Sequence, residues 1–81
     1  MTMNDEKFYI GVDVSKAILD VHDLHAEKYF QFNNDAKGIE KLINYLSSIS
    51  SAFIVMEATG GYEKPLANAL AKANFNALFK Y

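Results

Sequence analysis

Two acidic residues stand where an apolar stretch has no packing use for them. Asp13 lies near the end of Phe8-Tyr9-Ile10-Gly11-Val12-Asp13-Val14, and Glu57 near the end of Ala52-Phe53-Ile54-Val55-Met56-Glu57-Ala58. Short apolar runs of this kind read as strands buried on both faces, in the middle of a sheet. A charge buried there without a partner is costly. If the two strands lie side by side and parallel, both carboxylates reach the same edge of the sheet. Converging carboxylates are hard oxygen donors, suited to a divalent cation such as Mg²⁺ or Mn²⁺.

The elements that must hold these acids follow from the pattern around them. Residues 1–7 are polar and mixed in charge and read as a flexible tail. A first strand covers 8–14, and Ser15-Lys16 has the length of a two-residue hairpin turn. The second strand, 17–23, alternates Leu19 and Val21 with Ile18, Asp20 and His22, so one of its faces is wetter. Residues 23–26 form a turn, and a third strand over 27–32 puts Phe30 and Phe32 opposite Tyr29 and Gln31. Asn33-Asn34-Asp35 then offers a helix N-cap. Ile39, Leu42, Ile43, Leu46 and Ile49 follow at helical spacing, predicting a helix over 35–48 that a cluster of serines ends.

The fourth strand is 52–58, and Thr59-Gly60-Gly61 is a turn and cap. A second helix is predicted over 61–73, with Pro65 tolerated near its first turn and Tyr62, Leu66, Ala69, Leu70 and Ala73 facing inward. Asn74 closes it, and a fifth strand spans 76–80. The order is β-β-β-α-β-α-β. A helix joining two strands of one sheet makes them parallel. An antiparallel meander followed by αβαβ is the ribonuclease H-like arrangement, an α/β fold with strand order 3-2-1-4-5. Ligands of open α/β sheets bind beyond the carboxyl ends of the strands, where Asp13 and Glu57 are placed.

Composition narrows the classes of function. The chain has 81 residues, 51% of them hydrophobic, which suits one small domain with a modest core. Without cysteine there is neither a disulfide framework nor a thiolate zinc site. No apolar run approaches the ~20 residues of a membrane span, and the N-terminus lacks the pattern of a signal peptide, so a cytoplasmic protein is expected. The net charge of −2 excludes a broadly basic nucleic-acid surface, so contact with DNA or RNA would be local or supplied by another part. Phe79-Lys80-Tyr81 ends inside a strand, which reads as a domain over 8–81 that is incomplete at its C-terminal side.

Gly11-Val12-Asp13-Val14-Ser15-Lys16, then Leu19-Asp20-Val21, then Met56-Glu57-Ala58-Thr59-Gly60-Gly61-Tyr62 resemble the amino-terminal domain of DEDD-type insertion-sequence transposases and the related Piv-type invertases. The motifs and the helix after them cover nearly the whole chain. The resemblance implies a RuvC-like domain in which four acids bind divalent metal for cutting and rejoining DNA. Asp13 matches the first acid and Glu57 the second. The two later aspartates, and a separate domain with a serine used in strand exchange, would lie beyond Tyr81. Some members are guided by a structured RNA of their own element, and a homo-oligomer is expected of the full-length protein.

Each residue also has a plainer reading. Spacing alone leaves Asp13 open between a ligand and a strand-end acid held by backbone amides; the resemblance favours the ligand. Glu57 is the only polar group of its strand. Ser15 and Lys16 are candidate phosphate or DNA contacts against an ordinary turn. Thr59, Gly60 and Gly61 are candidates if their amides open a helix, against a plain cap and turn. Asp20 reads as a solvated acid, His22 and His25 as surface residues, and Glu63 and Lys64 as solvated. Two other functions stay open. An actin-like or sugar-kinase-like ATPase shares the superfold, although its phosphate turn is rich in Gly and Thr and Val14-Ser15-Lys16 is not. The other is a non-catalytic interaction module left from a decayed transposase.

Overall fold

The computed structural model describes residues 8–49, 51–58 and 60–80. The expected tail at 1–7, and Thr59, lie outside them. The elements run β1 (Phe8–Val14), β2 (Ile18–Asp23), β3 (Lys28–Asn33), α1 (Ala36–Ser47), β4 (Ala52–Ala58), α2 (Lys64–Lys72) and β5 (Asn76–Lys80). They build one five-stranded sheet in the order β3-β2-β1-β4-β5, the ribonuclease H-like arrangement expected from the sequence. β1 and β4 are parallel neighbours, paired from Phe8↔Ala52 to Val14↔Ala58, and β4 and β5 are parallel too.

Both helices lie on one face of this sheet. Ile10, Val12 and Val14 of β1, Leu19 and Val21 of β2, and Ile54 and Met56 of β4 bury themselves against Ile39, Leu42 and Leu46 of α1 and Leu66 and Leu70 of α2. The expectation that β1 and β4 are covered on both faces is therefore corrected. The opposite face carries Tyr9, 48% exposed, with Gly11, Asp13, Phe53, Val55 and Glu57. The apolar run hid a period-2 split, because Tyr and Val are as much at home on a half-open strand as in a core.

Three boundaries move for local reasons. Ser15 pairs with Ile18, its N–H donating to the Ile18 carbonyl at 3.0 Å, so the two loop residues are Lys16 and Ala17 rather than Ser15 and Lys16. β3 starts one residue late, at Lys28, because Glu27 takes a left-handed φ of 57°. α2 starts at Lys64, not at 61, because Gly60 and Gly61 have φ of 80° and 83°, outside any right-handed helix. Of the expected inner stripe of α2, Leu66 and Leu70 are buried while Tyr62 is 42% exposed. Glu63, expected to be solvated, is buried at the N-cap of α2.

α1 begins as its sequence suggests. The Asp35 carboxylate accepts the Gly38 N–H at 2.7 Å, an N-cap, and the Ser47 and Ser48 hydroxyls bond carbonyls of the last turn. A polar contact ties the helix to the sheet. Tyr45 donates its hydroxyl to the buried Asp23 carboxylate, whose other oxygen accepts the N–H groups of His25 and Ala26. Burial pushes the Asp23 carboxyl up, but the Tyr45 hydroxyl and the two amides outweigh it and hold the group below the usual carboxylate range. Tyr45 is pushed up to about 12 by burial and by this same carboxylate.

These shifts fix the sign of the pH dependence. A depressed carboxyl stabilises the fold above its unfolded value and loses that contribution as pH falls through the folded one. A raised phenol contributes fully below its ordinary value of about 10 and loses its contribution as pH rises toward about 12. Tyr45→Phe leaves a buried carboxylate short of one donor. We expect it to cost about 1–3 kcal/mol at neutral pH and to abolish the part of the alkaline decline between pH ~10 and ~12. Urea unfolding as a function of pH measures both.

Candidate carboxylate site

Asp13 and Glu57 are each the penultimate residue of their strand, and the parallel register sets them directly opposite one another. Neighbouring strands lie about 4.8 Å apart, so the two side chains leave the sheet side by side on its open face. Both are exposed. The antiparallel register between β1 and β2 adds a third acid to the row, placing Asp20 opposite Asp13, and the β4–β5 register sets Lys80 opposite Glu57. Across four strands the row reads Asp20, Asp13, Glu57, Lys80.

Asp20, which reads from the sequence as a solvated acid, has a fixed place in the structure. One oxygen accepts the Tyr29 hydroxyl at 2.5 Å and the Gln31 amide at 2.7 Å, both from β3. These two hydrogen bonds, Tyr29 first, hold its carboxyl below the usual range despite some desolvation, and His22 adds a smaller pull in the same direction. Asp20 thus stays ionised beside Asp13 and deepens the negative potential there. The alternation of β3 contained the signal, since Tyr29 and Gln31 share the wetter face. Their reach to Asp20 appears only when the register is known.

The open face forms a groove of about 390 Å³ lined by Asp13, Glu57, His22, Lys80 and the apolar Tyr9 and Val55. Gly11 lines it as well, and nothing lies within 4 Å of where its Cβ would be, so glycine leaves the floor beside Asp13 open. A larger cleft of about 750 Å³ runs between α1 and α2, past Ile39, Ile43, Pro65 and Ala69. It lies on the helix side of the sheet, away from the carboxylates.

The other predicted residues stay at the margins. Ser15 closes the β1–β2 turn, its Oγ donating to the Ile18 carbonyl at 3.0 Å, so that hydroxyl is already used. Lys16 is exposed in the turn. Gly60 and Gly61 are exposed in the loop after β4, ahead of the Glu63 N-cap, so their amides do not open the helix as their candidate role in phosphate binding requires. None of these four lines the groove. His22 and His25 are exposed, against the rings of Tyr29 and Phe8.

Two carboxylates on adjacent strands at an open edge are oxygen donors of the kind a hard divalent cation takes. Among the described residues no three His, Cys, Asp or Glu side chains are arranged to hold a metal. Among those residues, too, no helix is long and apolar enough to cross a membrane.

A profile of the IS110-type DEDD transposases, described as transposase, matches residues 10–80 and so covers both acids, both helices and the sheet from Ile10 of β1 through β5. No curated protein matches the chain significantly. The strand order, the two paired acids at the sheet edge and this match agree, and the chain belongs to the IS110-type DEDD transposase family.

Proposed function

We propose that this domain supplies half of the metal-binding site with which a transposase cuts and rejoins DNA strands. The observation that carries the reading is the Asp13↔Glu57 register at the carboxyl ends of two parallel strands. Asp13 and Glu57 would hold the cation, Mg²⁺ or Mn²⁺, with water completing its shell. A divalent cation held there stabilises charge on a scissile phosphate and activates an attacking oxygen. Asp20, kept ionised by Tyr29 and Gln31, strengthens the field that draws the cation in. Lys80, beside Glu57, places one positive charge where a phosphate would lie. The groove floor at Gly11 gives the backbone of a strand room to approach.

In this reading residues 8–81 are one domain of a longer transposase, and two further aspartates from that protein complete the four-acid site. DNA is the substrate. A guide RNA and a homo-oligomeric assembly belong to the same proposal, supported by family membership alone. The ATPase alternative needs a phosphate-binding turn after β1, and the Ser15 hydroxyl there is spent on the Ile18 carbonyl.

The 81-residue chain by itself is expected to be silent. Mg²⁺ loses its water reluctantly and gains little from two carboxylates, and a net charge of −2 opposes phosphate binding. Incubation with supercoiled and branched DNA in Mg²⁺ and in Mn²⁺ should show no cutting. The longer transposase should cut, and stop when the metal is chelated. Metal-dependent cutting by the 81-residue chain that vanishes in Asp13→Ala would show that the two carboxylates suffice and overturn the half-site reading.

A further inference from the structure

The loops that follow the two acids are joined by one side chain. Asn34 lies between the end of β3 and the Asp35 cap of α1. Its Nδ2 donates to the Ser15 carbonyl at 2.9 Å and to the Tyr62 carbonyl at 3.2 Å. Its backbone N–H donates to the Ala17 carbonyl at 2.9 Å. Ser15 follows Asp13 by two positions and Tyr62 follows Glu57 by five. The β1–β2 turn and the β4–α2 loop are therefore held to the same amide.

The chemistry of that amide is specific. Both neighbours are carbonyls and can only accept, so the side chain must face them with nitrogen, and both of its hydrogens are used. Oδ1 is buried and accepts no hydrogen bond from the described residues. Leaving a buried acceptor bare is unfavourable, so the site is arranged around the two donations. A residue needed only to start a turn or cap a helix could be Asp or Ser here, and neither has two N–H groups.

We propose that Asn34 is the positioning residue of the loops that border the carboxylate site: its amide fixes the separation of the two loops that leave Asp13 and Glu57, which flank DNA lying on the open face. The functional part rests on the metal and DNA reading above. The latch itself stands on the hydrogen bonds. The seven-residue ladder from Phe8↔Ala52 to Val14↔Ala58 does not involve Asn34, so the carboxylates keep their register when the latch is cut.

The test is nuclear magnetic resonance on the 81-residue chain. In Asn34→Ala, the backbone order parameters of Lys16–Ala17 and of Gly60–Tyr62 should fall together from about 0.85 to below about 0.6, with β1 and β4 unchanged. Asn34→Asp should loosen both loops at neutral pH, where the carboxylate faces two carbonyls. Part of the order should return on acidification, when the carboxyl gains a proton to donate. Both loops remaining ordered in Asn34→Asp at neutral pH would overturn the proposal, as would loosening of only one loop in Asn34→Ala. Broadening by substoichiometric Mn²⁺ separates the two readings. Broadening at Asp13 and Glu57 in both wild type and Asn34→Ala supports the proposal. Its loss only in Asn34→Ala overturns it, because the strands would then depend on the latch. Absence of broadening in the wild type overturns the metal reading, and with it the site that the latched loops border.

Discussion

Replacing Asp13 or Glu57 with Ala is expected to lower strand transfer by the full-length transposase at least about a thousand-fold, because a lost ligand forfeits several kcal/mol of transition-state stabilisation. The fold should survive either change. Both side chains are exposed on the open face, and neither makes a packing contact that the core needs. Like charges directly opposite on neighbouring strands destabilise a sheet. Asp13 stands between Asp20 and Glu57, so removing it relieves repulsion on two sides. Thermal melts of the 81-residue chain should show the midpoint of Asp13→Ala unchanged or slightly raised. A large drop in both variants, with activity lost in proportion, would make the acids structural instead.

Gly38→Ala should destabilise the fold strongly, although it adds only one methyl group. On propensity alone it is favourable, since Ala is preferred over Gly in a helix interior by about 1 kcal/mol. Space decides the other way. A Cβ at residue 38 would stand 1.8 Å from the Asn33 carbonyl oxygen, 2.7 Å from its carbon and 2.9 Å from its nitrogen. All three are backbone atoms, so no side chain can turn aside. Either the end of β3 or the first turn of α1 must move, and the Asp35 cap on the Gly38 N–H moves with it. We expect a net loss of about 3 kcal/mol, or roughly 15 °C in melting temperature for a domain this small. An unchanged melting temperature would mean that α1 slides off β3 at little cost. The shift would also disturb Asn34, so loop order is expected to fall together with stability.

Much of this architecture is legible in the chain. The runs at 8–14 and 52–58 give β1 and β4 to the residue, because an apolar run with one acid has sharp ends. A cap is visible in Asn33-Asn34-Asp35, of which Asp35 takes the role, and the stripe from Ile39 to Ile49 gives the face of α1. Those features are local, or repeat with a period that names the element. Whatever depends on partners far along the chain is less visible. Tyr9 and Val55 look like core residues, since no local pattern tells which side of a strand the helices will cover. Asp20 finds Tyr29 and Gln31 nine and eleven residues away. Asn34 finds Ser15 and Tyr62 across 19 and 28 residues. The start of α2 is hidden for a different reason: two glycines before a helix suit an opening turn as well as a cap, and only their positive φ decides.

The pairing of Asp13 with Glu57 as a cation site is the claim on which the function turns, and paramagnetic broadening by Mn²⁺ reads it directly. Substoichiometric Mn²⁺ added to the ¹⁵N-labelled 81-residue chain should broaden the amides of Asp13 and Glu57 first, then those of neighbouring Asp20 and Lys80. The affinity should be weak, about millimolar, as two carboxylates with mostly water ligands imply. In Asp13→Ala the broadening at Glu57 should disappear, because the two acids share one ion. Broadening that stays at Glu57 without Asp13, or that centres on other acids of the surface, would contradict the shared site and with it the catalytic reading.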